Sequence, residues 1–227
     1  LGTIHILTAR QGRSMEYFMR SFRFFIQENK LADVPILAMR TVHLPTFEPE
    51  LGELFIVLIN KQDVTGKFRG FLLAAYGMIL VHNKGDFERG EEVLNEALDI
   101  AEQVGDSALL IVVLILTGYL DYLNRRYKKS LDKTERAFVL FENDPTSRVY
   151  PLKSQLLIGF SIIYLETEGV KKCIDVITPL IDSAEAEQPT SNTFMCYAMA
   201  ARLKMMEGRW QDAVSYIESG LEEYPYN

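Results

Sequence analysis

The side chains able to do chemistry in this chain are few and far apart. Its three histidines, His5, His43 and His82, fall in different parts of the sequence, and none has a second histidine or a cysteine at metal-ligand spacing. They read as surface or helix-end histidines. Cys173 and Cys196 lie twenty-three residues apart in apolar, helix-forming surroundings, with no CxxC pattern. Two such cysteines behave as small buried hydrophobes in a reducing compartment. The stretch NKGDFERGEE holds two glycines, but no Gly-Lys-Ser/Thr follows and no strand precedes it, so it cannot cradle a phosphate as a P-loop does. No GxSxG occurs. Glu91, Glu92 and Glu96 sit at the spacing of a solvated helix face. An acid–base pair would instead need a pocket that perturbs its pKa values. The residues therefore predict a non-catalytic protein with neither metal nor cofactor.

One basic cluster stands out, RRYKK, with Arg125, Arg126, Lys128 and Lys129. It reads as a solvated turn between helices. Its alternative role, docking an acidic peptide or a phosphate, is weakened by the acidic neighbours in EEVLNEALDIAEQ. The net charge of −7 opposes broad nucleic-acid contact, which needs a basic surface to displace counterions, and it equally opposes an anionic membrane surface. No charged segment followed by an apolar stretch marks a signal peptide, so the expected location is cytoplasmic. The most apolar run, SALLIVVLILTGYL, is bounded by Asp106 and Asp121. A bilayer needs about twenty apolar residues, so this run is too short to cross one. Asp106 or Ser107 can cap a helix there. A helix that is apolar almost all round must be enclosed by other helices.

The rest of the chain shows what encloses it. NRRYKKSLDKTERAFVLFE repeats the pattern of NKGDFERGEEVLNEALDIAE forty residues earlier, and EGRWQDAVSYIESGLEEYP repeats it again near the C-terminus. Tyr127 aligns with Phe87, Ser130 with Gly90, and Ala137-Phe138 with Ala97-Leu98; Trp210, Ala213, Ile217 and Gly220-Leu221 fill the same slots. Weaker copies start at Phe47 and Val170, so the bulky anchors fall at 47, 87, 127, 170 and 210, and a partial copy starts near Ser14. A period of this size marks a solenoid of helical hairpins. The pattern predicts A helices near 31–43, 69–83, 107–123, 150–166 and 192–206, and B helices near 14–28, 48–60, 87–104, 128–142, 170–185 and 210–223. The fold class is all-α, a right-handed α-α superhelix of about five to six antiparallel hairpins. The small residue three places after the anchor lets neighbouring helices approach closely, and Glu50 breaks this rule in the copy that starts at Phe47.

The turn and B-helix signature resembles the tetratricopeptide repeat. The match is a Gly, an aromatic two residues on, a small residue three after that, and a small-large pair at the end; GDFERGEEVLNEAL and GRWQDAVSYIESGLEEYP are its best copies, the second ending in Pro225. Pro45, Arg125 and Glu168 replace the turn Gly in other copies. The forty-residue spacing exceeds the usual repeat of about thirty-four and also fits HEAT-type repeats. Longer units with phrases such as NEALDIAEQVGDSALL resemble the sensor region of MalT-like bacterial regulators and of some cyclase-linked ATPases. The resemblance covers residues 30 to 227. It implies one repeat domain over 1–227 that is a portion of a longer protein, because the chain opens inside a hairpin and stops after a B helix.

In tetratricopeptide arrays the A helices line the concave face. Carried onto this sequence, that places Leu72, Ala75, Ile79 and His82 in the groove, then Val112, Ile115, Tyr119 and Tyr122, then Ile158, Ile162 and Leu165. The lining is apolar, with two tyrosine hydroxyls, and lacks the cations that clamp acidic tails. Such a groove suits a hydrophobic helix or peptide of a partner protein, or an apolar inducer. The expected function is thus an interaction or ligand-sensing module inside a larger bacterial signalling or transcription regulator. The alternative is a stand-alone scaffold that holds a partner helix. Uncapped repeat ends expose apolar surface that can stack, which allows a homodimer.

Overall fold

Capping residues mark where the helices begin. The Asp86 carboxylate accepts the Arg89 backbone N–H at 3.1 Å, and Asp106 accepts that of Leu109 at 2.9 Å. Each satisfies a donor that the first helical turn leaves without a partner. A computed structural model describes residues 11–28, 49–61, 64–144, 152–176, 178 and 191–223. Within them the helices are α1 (Gln11–Gln27), α2 (Pro49–Ile59), α3 (Gly66–Lys84), α4 (Phe87–Val104), α5 (Ser107–Leu123), α6 (Tyr127–Asn143), α7 (Leu152–Thr167), α8 (residues 170–176), α9 (Ser191–Met206) and α10 (Trp210–Glu223). No strand occurs among the described residues. The helix expected at 31–43 and the end of the one expected at 170–185 lie outside them.

Helices α3/α4, α5/α6, α7/α8 and α9/α10 form successive antiparallel hairpins. The apolar helix α5 is enclosed by its own partner α6 and by α3, α4 and α7. Leu109, Ile111, Val113 and Leu114 are fully buried there. That burial accounts for the uncharged run between Asp106 and Asp121, and among the described residues no helix is long and apolar enough to cross a membrane.

Small residues set the spacing within each hairpin. Gly90 and Ser130 are buried, as are Cys173 and Ala213 at the same repeat position. Each has a small counterpart on its A helix. Gly77 lies against Gly90, Ser130 Oγ donates to the Gly118 carbonyl at 2.7 Å, Ser161 lies beside the Cys173 thiol, and buried Ala201 holds the equivalent place near Ala213. Hairpin joins hairpin partly through the ion pairs Lys67–Asp106 at 3.1 Å, Arg126–Glu91 at 2.8 Å and Arg136–Glu102 at 2.9 Å, while Arg69–Glu96 at 2.9 Å ties α3 to α4 within one hairpin. These pairs are partly exposed, so each contributes well under about 1 kcal/mol. The apolar interfaces beneath them hold the array together.

Two features depart from the sequence reading. The left-handed turn residue before α8 is Gly169 (φ 88°), one place after the Glu168 that aligned with the turn glycine. The longer spacing of 43 residues in that repeat shifts the turn by one. Second, the anchors do not form the core. Phe87 and Trp210 open their helices and stand exposed, Trp210 by 61%. Ile217 is 45% exposed, whereas its counterpart Leu94 in α4 is fully buried. Inward from α10 point Ala213, Tyr216 and Gly220; outward, at helical spacing, stand Trp210, Val214, Ile217 and Leu221.

Candidate functional site

The A helices end side by side, and their last turns carry the side chains that gather on one surface. His82 comes from α3, Tyr119 and Tyr122 from α5, Glu166 from α7 and Arg202 from α9. The His82 and Tyr119 rings lie 5.6 Å apart between centroids, Tyr119 and Tyr122 stack at 6.4 Å, and Tyr122 meets Tyr127 at 5.9 Å. All four rings keep accessible surface. At the far end the Arg202 guanidinium lies beside Tyr122 and pairs with Glu166 at 3.6 Å. An open pocket of about 460 Å³ lies there, lined by Tyr122, Leu123, Arg125, Tyr127 and Glu166.

The groove residues read from the sequence divide into two groups. Leu72, Ala75, Ile79 and Val112 are buried in the core, and Ile158 and Leu165 nearly so. They support the surface from beneath and offer a partner almost no area. His82, Ile115, Tyr119, Tyr122 and Ile162 remain accessible. Sequence reasoning missed Glu166, Arg202 and the site position of Tyr127. Glu166 follows Ile162 by one helical turn, so extending the same register was the signal that could have found it.

Burial governs the electrostatics of the row. It pushes the Tyr119 hydroxyl above its ordinary pKa, with Tyr122 adding to the effect. Burial also raises Tyr122, reinforced by Glu166 and opposed by Arg202. Both hydroxyls therefore stay protonated at neutral pH and can donate hydrogen bonds. The ring contact with Tyr119 partly dries an otherwise exposed His82, and burial holds its pKa below the usual value, so the neutral imidazole dominates at pH 7. Among the described residues no three of His, Cys, Asp or Glu converge to hold a metal.

The basic cluster is not a uniform patch. Arg126 turns back to Glu91 and to buried Asp121, while Arg125, Lys128 and Lys129 face solvent. A second aromatic row, Phe138–Phe160–Tyr164, ends under Lys172 Nζ at 4.4 Å from the Tyr164 centroid, but Phe160 is buried there and the row is packing.

Cys173 is buried beside Ser161, and burial pushes its thiol up to about 11. In a Cys196→Ser background, Ellman's reagent at pH 8 should modify the folded protein at least about 200-fold more slowly than a free thiol of ordinary pKa, from the thiolate fraction alone. Because the folded pKa is raised, the buried thiol stabilises the fold below about pH 8.5, and that contribution fades as the pH climbs towards 11. Rapid modification of native protein would contradict the buried placement.

No family model matches the chain, and no curated protein does. Among solved structures it resembles two crystal structures, one of a point variant, of a Podosopora anserina protein described as a kinesin light chain with nearly identical TPR-like repeats. The TM-scores are 0.57 and 0.54, each at 10% identity over 92% of this chain and 93% and 94% of the other. At that identity the likeness establishes the fold: a TPR-like all-α solenoid.

Proposed function

We propose that this chain is a non-catalytic interaction module that receives a protein or peptide partner along the last turns of its A helices. The observation that carries the reading is the accessible row His82, Tyr119, Tyr122 and Tyr127. Large aromatic faces with polar tips, fixed on rigid helices, supply contact area at low entropic cost. Half-buried Ile115 and Ile162 widen the surface on its apolar side. The long repeat, with its likeness to MalT-type sensor regions, supports a place inside a larger bacterial regulator. A P-loop ATPase segment in the flanking coding sequence would bear that out, and its absence would leave a stand-alone scaffold.

The combined change Tyr119→Glu and Ile115→Asp places two charges in the row. Proteins captured from extract by the wild-type chain should be lost, while far-UV circular dichroism keeps its helical signal. Undiminished capture by the folded double variant would refute this face as the binding surface.

A further inference from the structure

We propose that the ring row takes a proline-rich segment in the polyproline II conformation. The inference rests on the reading of this face as the partner surface and adds the chemistry of the partner. Successive ring centroids step by 5.6, 6.4 and 5.9 Å. A polyproline II strand rises about 3.1 Å per residue, so two residues advance about 6 Å, one ring step. At this spacing each ring would meet every second residue of such a strand. Aromatic-lined grooves recognise this conformation because the ligand is already ordered before it binds.

Polar complementarity points the same way. A proline strand makes no internal hydrogen bonds and has no backbone N–H to donate, so it presents carbonyl acceptors alone. The row offers donors. Tyr122 supplies one hydroxyl, which stays protonated and can donate. Tyr119 supplies a second hydroxyl. Glu166 and Arg202 at the far end are paired with each other, which leaves Arg125 at the pocket rim as a cation able to meet a strand carbonyl.

The rival occupant, an amphipathic helix, fits less well. Such a helix needs a deep aliphatic groove for anchors at i, i+3, i+4 and i+7. Here Leu72, Ala75, Ile79 and Val112 are already buried by the fold, so that groove is filled.

The test is fluorescence anisotropy on the full chain with three labelled probes: decaproline, a glycine-serine decamer and an amphipathic leucine-lysine helix. Decaproline should bind, and the glycine-serine peptide should not. Tyr122→Ala should weaken decaproline at least about fivefold, the loss expected for one aromatic contact. Tyr122→Phe keeps the ring and the packing but removes the hydroxyl; it should weaken binding by about threefold or more, and it guards against a folding defect in the alanine variant. Decaproline binding no tighter than the glycine-serine control, or untouched by both substitutions, overturns the proposal. Binding of the leucine-lysine helix in place of decaproline also overturns it, yet leaves the face as the partner surface. That broader reading falls only if the Tyr119→Glu, Ile115→Asp variant still captures its partner.

Discussion

Gly90→Leu should destabilise the protein by about 3 kcal/mol or more, and Gly90→Ala by about 1 kcal/mol despite its better helix propensity. A Cβ built on Gly90 would stand 2.6 Å from Val81 Cγ2 and 3.1 Å from the Gly77 carbonyl oxygen. Valine in a helix has essentially one rotamer, and the carbonyl belongs to a backbone fixed within α3, so neither can yield cheaply. The outcome is a wider crossing between α3 and α4. Gly77→Ala is the informative contrast. Its Cβ would meet Leu94 Cγ at 2.7 Å, a side-chain contact that the fully buried Leu94 relieves only by repacking. It should therefore cost less than Gly90→Ala, with the propensity gain of about 1 kcal/mol offsetting part of the crowding. At about 2–4 °C per kcal/mol for a chain of this size, Gly90→Leu should lower the melting temperature by roughly 6–12 °C. The disturbance stays near its own hairpin, because each unit of a solenoid touches only its neighbours. Hydrogen exchange should thus quicken in α3 and α4 before α9 and α10. Equal melting of Gly90→Leu and wild type, or a Gly77→Ala variant weaker than Gly90→Ala, would contradict the close crossing.

How much of this was legible in the sequence follows from which interactions are periodic. The small residue after each anchor was readable because Gly90, Ser130, Cys173 and Ala213 recur at one position, and a close crossing tolerates nothing large there. The bounds of α4, α5 and α10 were readable from their caps and turns. The facing small residue on each A helix went unseen. Gly77, Gly118, Ser161 and Ala201 are embedded in apolar runs where periodicity gives no contrast. The groove assignment suffered from the same uniformity. In a helix apolar on every side, such as α5, no moment tells the core face from the open one. Val112 and Ile115 look alike in sequence, yet one is buried and the other half-exposed. The surface became distinct only at the helix ends, where Tyr119, Tyr122, Glu166 and Arg202 carry polar tips. The role of Arg126 was hidden as well, since a run of four cations does not announce that one of them turns inward.

Asp121→Ala is the second large effect, expected at about 2–3 kcal/mol. The carboxylate is 2% exposed and lies 2.6 Å from Arg126 Nε and 2.7 Å from Lys133 Nζ. Removing one member of a fully buried pair costs about 3–5 kcal/mol, because the other charge is left without a partner or water. Here the cost falls below that range for two reasons. The cations are each about a third exposed and can turn to solvent, and Arg126 keeps Glu91 at 2.8 Å. The contact to Arg126 Nε also misses hydrogen-bond alignment. Asp121 further anchors the turn that follows it. Its carboxylate holds the Arg126 side chain, while its backbone carbonyl, which alanine keeps, accepts the Arg126 N–H at 2.8 Å beside an Arg125 held at φ 58°, a left-handed conformation costly for any residue but glycine. In the Asp121→Ala background, Arg125→Gly should recover about 1 kcal/mol by removing that strain. Thermal melts of the single and double variants measure both quantities, and an unchanged melting temperature for Asp121→Ala would show that the pair is not structural. The consequence reaches the binding surface, because Asp121 lies between Tyr119 and Tyr122 on the last turns of α5 and holds the start of α6, where Tyr127 stands. A loosened turn lets these three rings drift from their stacked spacing. Asp121→Ala, measured well below its melting temperature, should therefore weaken decaproline binding although the carboxylate itself is buried and faces no ligand.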